Sequence, residues 1–472
     1  MSATAHRVHE TGAPLGTPDS IPGPDGHPLL GMARALRTDL LGTLQEGFAQ
    51  HGDVVAHRVG LARGPRRLRG VIVAVRHPDD ARRVLLETDL FVRRTPAYDV
   101  MREMLGETIV TMEGAPWRRR KRILQPLFTR HNVAQYADLL EVEAERVVAS
   151  WQPLDDQPVD VAQTMEQYAL RVLGQTIFAE EHGIDADTAA ALERLVPHLG
   201  SQVVARVTQV LRLPLRWPTP RNRDFLALRA ELRATIERVL ARRGAEDRVG
   251  GDTSAGDLLS RLGEARHPDE GATLTQQGVR DEALLFLLAG HTTTADVLTS
   301  TLHLLGRNPE VQEQVAVAAS EATGGHDDLV AAAIQESMRL HPPSYVISRR
   351  TASDTTLGGH AVPAGTLVLL VPWVTHRDPR FWPDPERFDP LRFVGEQRRP
   401  PFAYMPFGGG GRICIGRHLA MQETTVLLRA LLRRYRLEAV EATLPLSAVI
   451  SMRPTGPVLV RLRPRAPVGA IA

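Results

Sequence analysis

The chain has 472 residues, of which 43% are hydrophobic and 24% are charged, and its formal net charge is +2 at pH 7. This balance gives no sign of a nucleic-acid-binding chain, and a single cysteine excludes a disulfide framework, a CxxC redox pair and a multi-cysteine metal site. The longest apolar runs fall short of the roughly 20 residues that span a membrane, and the N-terminus lacks the apolar core of a signal peptide. A cytoplasmic location is therefore expected.

Along the chain, hydrophobic periodicity predicts mostly helices with a small β portion. Residues 1–30 are rich in Pro and Gly and are predicted to form an extended N-terminal arm, and 244–257 has the composition of a loop. The predicted helices are 35–50, 116–128, 134–151, 159–179, 222–243, 276–306, 328–340 and 415–435, and the predicted strands are 53–60, 70–75, 365–371 and 457–463.

The strongest local signal is the stretch FGGGGRICIG, which contains the only cysteine, Cys414. Consecutive glycines are costly in conformational entropy, so they indicate unusual backbone angles or a close approach. A phosphate loop would need a following Lys-Ser/Thr, which this stretch lacks. The helix predicted to begin near Arg417 would point its amides at the sulfur and lower the thiol pKa. This favours a thiolate metal ligand over an inert buried thiol or a nucleophile.

This stretch resembles the haem-binding signature of the cytochrome P450 family, F-x-x-G-x-R-x-C-x-G. The resemblance implies that Cys414 is the axial ligand of the haem iron, whose thiolate pushes electron density towards oxygen. It also implies that Arg412 binds a haem propionate and that Phe407 packs near the sulfur. The matching residues are Phe407, Gly410, Arg412, Cys414 and Gly416.

A second motif lies on the helix predicted at 328–340. Glu336 and Arg339 are three residues apart and share a helix face, where an exposed ion pair is the ordinary interpretation. The segment QESMRLHPP, however, resembles the E-x-x-R motif of the same family. The resemblance implies a buried structural lock beneath the haem, with Arg387 of PDPERF as its third partner.

The predicted helix 116–128 resembles the W-x-x-x-R helix of the family, in which both named residues bind a haem propionate. Trp117 matches, whereas Lys121 stands at the Arg position and keeps the charge without the bidentate fork. The neighbouring basic cluster is either a solvated face or a docking patch for an acidic electron donor. Its members are Arg118, Arg119, Arg120 and Arg122.

A further basic residue, Arg349, stands five residues before Asp354. By the resemblance it would bind the other haem propionate, with Arg350 as a neighbouring alternative.

The long apolar helix carries AGHTTTA, residues 289–295. Threonine hydroxyls can bond back to carbonyls one turn earlier and bend a helix, and Gly290 would add room beside them. The alternative is a buried helix that uses threonine for packing. The segment resembles the family's oxygen-binding motif A-G-x-[DE]-T-T, which implies that Thr293 orders protons for catalysis. Thr292 occupies the position of the acid.

Together, the resemblance implies a mainly α cytochrome P450 fold of the bacterial type, with a single large domain over 31–472 and one haem b. The implied reaction inserts one oxygen atom from O2 into a hydrophobic small molecule such as a terpenoid, fatty acid or polyketide. Electrons would come from NAD(P)H through a separate ferredoxin and ferredoxin reductase. The alternatives are oxidative coupling, desaturation or peroxide-driven oxidation on the same scaffold, and a non-enzymatic haem or gas binder.

The same resemblance places the substrate pocket on four segments, 91–112, 198–215, 344–347 and 450–452. Their apolar residues indicate a hydrophobic substrate. These residues are Met101, Met104, Leu105, Ile347, Ile450 and Met452.

Overall fold

The computed structural model describes residues 20–60, 69–151, 157–178, 184–207, 213–246, 258–321, 328–395 and 399–465. These residues are mainly helical with a small β portion, so the predicted fold class is confirmed. Most of the predicted N-terminal arm, residues 1–19, and most of the predicted loop, 247–257, lie outside the described residues. No helix in the described ranges is long and apolar enough to cross a membrane.

The helices are α1 Ala33–Thr38, α2 Leu40–His51, α3 Pro78–Leu86, α4 Pro96–Leu105, α5 Gly114–Leu124, α6 Arg130–Ala134, α7 Ala137–Ser150, α8 Val161–Phe178, α9 Ala186–Val207, α10 Pro220–Glu246, α11 Leu258–Glu264, α12 Gln276–Arg307, α13 Pro309–Ser320, α14 Leu329–Leu340, α15 Pro372–Thr375 and α16 Arg417–Arg434. The strands are β1 Val54–Gly60, β2 Arg69–Val75, β3 Phe91–Val92, β4 Val159–Asp160, β5 Ile347–Thr351, β6 Thr355–Leu357, β7 His360–Val362, β8 Leu367–Leu370, β9 Tyr435–Ala439, β10 Leu446–Ala448, β11 Met452–Pro454 and β12 Leu459–Pro464.

The chain folds into two compact units. The smaller contains the described residues up to Val92 together with Ser348–Leu370, and the larger contains Arg93–Ile347 and the described residues from Val371 onward.

The smaller unit is built on a five-stranded sheet in the order β1-β2-β8-β5-β3. β1 and β2 pair antiparallel from Val54↔Val75 to Gly60↔Arg69, and β2 pairs parallel with β8. The first four residues of β1 are buried, and the first three of them are apolar. α3 begins with Pro78 at a position where the lack of an N–H costs nothing, and its Asp80 accepts the Gly358 amide of the β6–β7 turn.

The larger unit is organised around α12, which is 32 residues long and buried on nearly every side. Its buried residues include polar and charged side chains as well as apolar ones, and these polar groups need partners inside the protein. Its N-terminus is capped by Thr275, whose hydroxyl accepts the Gly278 amide at 3.0 Å. α12 packs along α8, and a side chain at Gly290 would come within 2.6 Å of Leu173 Cδ1. A larger residue at 290 would therefore require the Leu173 side chain to move, and the room that Gly290 leaves beside the threonines stays a prediction.

Candidate active site

The loop before α16 presents Cys414. Its amide donates to the Phe407 carbonyl at 2.9 Å, which closes the loop upon itself. Gly408 and Gly410 have φ angles of 72° and 62°, a left-handed conformation that glycine adopts without steric cost. Gly416 then caps the N-terminus of α16. Two of the four consecutive glycines are thus explained by the turn that carries the cysteine.

The contacts of the Cys414 sulfur are those predicted from the sequence, but the direction of its pKa shift is not. The amides of Gly416 and Arg417 bond towards the sulfur, as predicted from the helix start, and with the Arg417 charge they lower the thiol pKa. Burial is the larger effect, so the pKa of Cys414 is raised, and the expected lowering is wrong for the polypeptide alone. A coordinated metal ion would deprotonate the thiol outright.

The Cys414 side chain is accessible, although the protein around its sulfur is dense enough to raise the thiol pKa. α12 also has an accessible face. Between 281 and 303 every residue is buried except Ala289, Gly290 and Thr293. Ala289 and Thr293 are four residues apart and lie on one side of the helix. A soft sulfur donor and a face with small side chains suit a flat iron cofactor such as haem.

Cationic side chains flank the cysteine loop. The Arg412 guanidinium is buried, lies 3.7 Å from the centre of the Trp117 ring and pairs with the Glu113 carboxylate at 3.0 Å. It also donates to the carbonyls of Ile109 and Met112 at 3.2 and 2.9 Å. These contacts fix the guanidinium beside the loop with an aromatic ring and a carboxylate. Haem carboxylates would find here a cation that is already oriented.

The Lys121 side chain points towards the cysteine loop. Its ammonium donates to the Gly411 carbonyl at 2.6 Å and lies 5.7 Å from the centre of the Trp117 ring. Burial lowers the pKa of Lys121, and the charges of Arg412 and Arg417 lower it further. The side chain therefore belongs to the cysteine loop and not to a solvated face. Whether it also contacts a propionate stays a prediction.

The basic cluster next to Lys121 is extensively paired within the chain. Arg119 lies 2.7 Å from the Glu270 carboxylate, and Arg122 pairs with Asp269. Arg120 is mostly buried and lies 2.8 Å from Glu282 of α12. Arg120 therefore holds α5 against α12, and an electron donor would have to compete for Arg119 and Arg122 with the chain's own acids.

The threonines of α12 turn back onto the helix. The Thr293 hydroxyl donates to the Ala289 carbonyl at 2.8 Å, and buried Thr292 makes a longer bond of 3.4 Å to Leu288. His291 is buried with Nδ1 against the Leu287 carbonyl at 2.9 Å, and burial lowers its pKa to about 4. Its imidazole is therefore neutral near pH 7, so it is no proton reservoir.

Glu336 and Arg339 form the predicted lock. Both side chains are fully buried, with Nε–Oε2 and Nη2–Oε1 distances of 2.7 and 2.8 Å. The third partner differs from the prediction. Arg392 Nε lies 3.4 Å from Glu336 Oε1, whereas Arg387 contributes only its backbone carbonyl, to Arg339. The sequence does contain a signal for Arg392, because PLRF at 390–393 repeats the P-x-R-F pattern of PERF at 385–388.

Arg349 belongs to the smaller unit. It is almost completely buried in β5, and its Nη1 donates to the Ser348 carbonyl at 2.8 Å. Its contact with a propionate stays a prediction.

Part of the predicted pocket is assembled from distant segments. The Tyr345 hydroxyl donates to the Val449 carbonyl at 2.8 Å, and a side chain added at Gly200 would come within 3.2 Å of Val449 Cγ1. α9 and the β10–β11 hairpin therefore approach each other. Met104 and Leu105 are buried in the core of the larger unit, while Ile450 is exposed. Residues 208–212 of the predicted segment 198–215 lie outside the described residues.

Comparison with known proteins agrees with this geometry. The family model described as Cytochrome P450 matches residues 21–461. Cyclooctat-9-en-7-ol 5-monooxygenase of Streptomyces melanosporofaciens is 34% identical over 431 residues, which cover 89% of this chain and 90% of that protein. Cyclooctatin synthase of the same organism is 31% identical with the same coverage. The crystal structure of CYP175A1 from Thermus thermophillus has a TM-score of 0.70 and 26% identity, and the match covers 91% of this chain and 96% of that one.

The family match spans nearly the whole chain, and the relatives extend over nine tenths of their own length. The chain therefore belongs to the cytochrome P450 family, and it is a haem-dependent monooxygenase that acts on a hydrophobic small molecule.

Proposed function

We propose that the protein oxygenates a terpenoid, with Cys414 as the axial ligand of haem b. The sequence left three substrate classes open: terpenoids, fatty acids and polyketides. The name of one relative supports a cyclic substrate. This relative is a monooxygenase of cyclooctat-9-en-7-ol, whose name describes a cyclic, unsaturated alcohol. A terpenoid is a molecule of this kind, whereas a linear fatty acid is not.

The observation that carries the ligand assignment is the position of the only cysteine. Cys414 stands at the start of α16, in a loop whose glycines adopt left-handed angles, and two helix amides bond towards its sulfur. The bound haem would supply oxygen activation, which a thiolate ligand favours by pushing electron density towards oxygen. In the larger unit, the residues that would hold its propionates are Trp117, Lys121 and Arg412.

The remaining residues of the site order the water at Thr293 and exclude other water. The Thr293 hydroxyl donates to the Ala289 carbonyl, so its oxygen still accepts a hydrogen bond from a water on the accessible face of α12. Thr293 can thereby pass protons along a water chain. The apolar residues around it, which belong to the buried face of α12, keep other water away and strengthen polar interactions inside the site.

Electrons would come from NAD(P)H through a separate ferredoxin and ferredoxin reductase. The basic residues of α5 support an acidic donor, because they lie on the helix whose Trp117 and Lys121 contact the cysteine loop. An electron donor bound there would be close to the ligand side of the haem.

One set of measurements tests the proposal. The ferrous carbon monoxide complex should show the red-shifted absorption of a thiolate-ligated haem, and Cys414→Ala should lose it. Terpenoids should perturb the haem spectrum on titration, and NAD(P)H consumption with surrogate redox partners should yield a hydroxylated product. A thiolate spectrum in Cys414→Ala would overturn the ligand assignment. Desaturated or coupled products, or turnover that requires peroxide, would replace the proposed reaction with one of its alternatives.

A further inference from the structure

A buried acid lies one turn beyond the threonine pair of α12. Asp296 is only 5% exposed, and it follows Thr293 by three residues and Thr292 by four. Residues at these spacings are neighbours on a helix surface. The two threonine hydroxyls can pass a proton along, but a hydroxyl does not titrate near neutral pH. Repeated proton delivery from this part of α12 needs a titratable group that can be reloaded.

Three titratable side chains on or against this stretch of α12 can be compared. His291 is neutral near pH 7, and its Nδ1 is engaged with the Leu287 carbonyl. Glu423 of α16 is buried, and its carboxyl accepts a hydrogen bond from Thr294 at 2.7 Å. Asp296 differs from both because its contacts lead towards the surface.

Polar side chains lie between Asp296 and the solvent. The Ser451 hydroxyl donates to Asp296 Oδ2 at 3.3 Å. Two residues further along, in β11, Arg453 pairs with Glu166 of α8 at 2.6 Å. The side chains of Arg453 and Glu166 are 29% and 27% exposed, so this ion pair is in contact with water. The charges of Arg453 and Glu166 act on Asp296, so a water-exposed ion pair lies near this acid, which is itself one helical turn from Thr293.

Burial and the surrounding charges together bring the pKa of the Asp296 carboxyl close to neutral pH. Burial is the largest effect and raises the pKa of Asp296 to about 7, with Glu166 raising it and Arg453 and Ser451 lowering it. Burial also raises the pKa of Glu166, to which Glu193 of α9 and Asp160 of β4 add their charges. Near neutral pH such an acid both gives up and regains a proton readily.

We propose that Asp296 is a positioning residue for proton delivery, which stores a proton behind Thr293 and is reloaded from solvent past Ser451, Arg453 and Glu166. In each cycle the carboxyl gives one proton to water held by Thr293 and takes one back from water that connects it with the solvated side of Glu166. Only O–H bonds form and break, and no electron moves. This inference rests on the proposed monooxygenase function.

The test compares Asp296→Asn with Asp281→Asn in the haem-loaded protein. Asp281 is a matched control, because it is a buried acid of the same helix that bonds Gln277 and the Glu107 amide, twelve residues before Thr293. Infrared difference spectra should show a protonated carboxyl that titrates at about pH 7 in the wild type and in Asp281→Asn, and that is lost in Asp296→Asn. If no such band is lost, the proposal is overturned, whether or not the enzyme accepts a terpenoid.

The second readout is product formed per NAD(P)H as a function of pH. In the wild type this ratio should fall as pH rises through about 7, since Asp296 then loses its proton. In Asp296→Asn product formation below that pH should fall about 100-fold, the lower end of what a positioned acid contributes, and the pH dependence should vanish. An unchanged profile in Asp296→Asn, or a flat profile in Glu423→Gln instead, overturns the proposal. Wild-type protein that forms no product would contradict the proposed function, while the infrared titration would still decide the state of Asp296.

Discussion

The Thr294 hydroxyl donates a 2.7 Å hydrogen bond to the Glu423 carboxyl and so joins α12 to α16 inside the larger unit. Burial raises the pKa of Glu423 to about 8, and the Thr294 bond offsets only part of this rise. Near pH 7 the native protein therefore holds a proton on Glu423 that the unfolded chain releases.

Glu423→Gln should change how stability depends on pH. Below the unfolded pKa of about 4.3 both states are protonated, and above about 8 both are ionised. Between these values the unfolded state alone gives up the proton, so the wild type should lose about 1.4 kcal/mol of unfolding free energy per pH unit relative to Glu423→Gln. Urea unfolding of the haem-loaded protein across this window measures the difference. Parallel curves for the two proteins would contradict the raised pKa.

Arg392→Ala should destabilise the protein more than Arg387→Ala. Arg392 lies 3.4 Å from the buried Glu336 carboxylate, so its removal takes away a charge partner and should cost about 1–3 kcal/mol. Arg387 supplies a backbone carbonyl that alanine retains, so its loss should change stability by no more than about 0.5 kcal/mol. Urea unfolding with haem retention measured in parallel compares the two. The reverse order would restore Arg387 as the third partner.

Lys121→Ala should weaken haem retention, whereas Lys121→Arg should be tolerated. The ammonium donates to the Gly411 carbonyl, three residues before Cys414, so alanine loses both a loop contact and a cation. Haem transfer to an acceptor protein gives the rate of loss. Arg122→Ala is the control, because Arg122 is exposed and pairs with Asp269 at the surface. Equal retention in the wild type and Lys121→Ala would remove Lys121 from the haem site.

Thr293→Ala should keep haem and substrate binding but divert electrons to peroxide, lowering product per NAD(P)H by about 100-fold. Thr293 lies on the accessible face of α12, whereas Thr292 is buried and makes only a 3.4 Å bond. Thr292→Ala should therefore do much less. Product, peroxide and NAD(P)H are measured together. If Thr293→Ala couples as well as the wild type, protons reach the site without this hydroxyl.

Arg119→Glu and Glu270→Gln should change reduction by an acidic ferredoxin in opposite directions. Arg119→Glu reverses a surface charge and should slow electron transfer, while Glu270→Gln frees Arg119 from its 2.7 Å ion pair and should speed it. Both effects should shrink as salt rises, because charges are screened within about 8–10 Å at physiological ionic strength. Stopped-flow reduction of the iron measures the rates. Rates that do not respond at low salt would place the donor elsewhere.

Long, strongly periodic helices could be predicted from the sequence almost to the residue. The helix expected at 276–306 is Gln276–Arg307, and the one expected at 415–435 is Arg417–Arg434. α9 was missed, and it contains Pro197, which removes a backbone donor and weakens a helix signal. β5 was missed because Arg349, a charged residue, occupies a buried position of its alternating pattern.

The site could be predicted where a motif is local in sequence and not where a partner comes from elsewhere. Cys414 and the Glu336–Arg339 pair depend on short spacings, and the structure places them as expected apart from the direction of the Cys414 pKa. Asp296, Glu423 and Arg392 were missed, because their importance comes from burial and from contacts across the fold. The spacing of residues along the sequence carries no information on burial or on contacts between distant segments.

The close approach of α12 to α8 limits how this enzyme can be redesigned. A Cβ at 290 would meet the flexible end of Leu173, so a larger residue at this position is accommodated only if the Leu173 side chain moves. Shortening Leu173 at the same time would open the space that a larger residue needs. Positions 173 and 290 should therefore be varied as a unit when new substrates are sought.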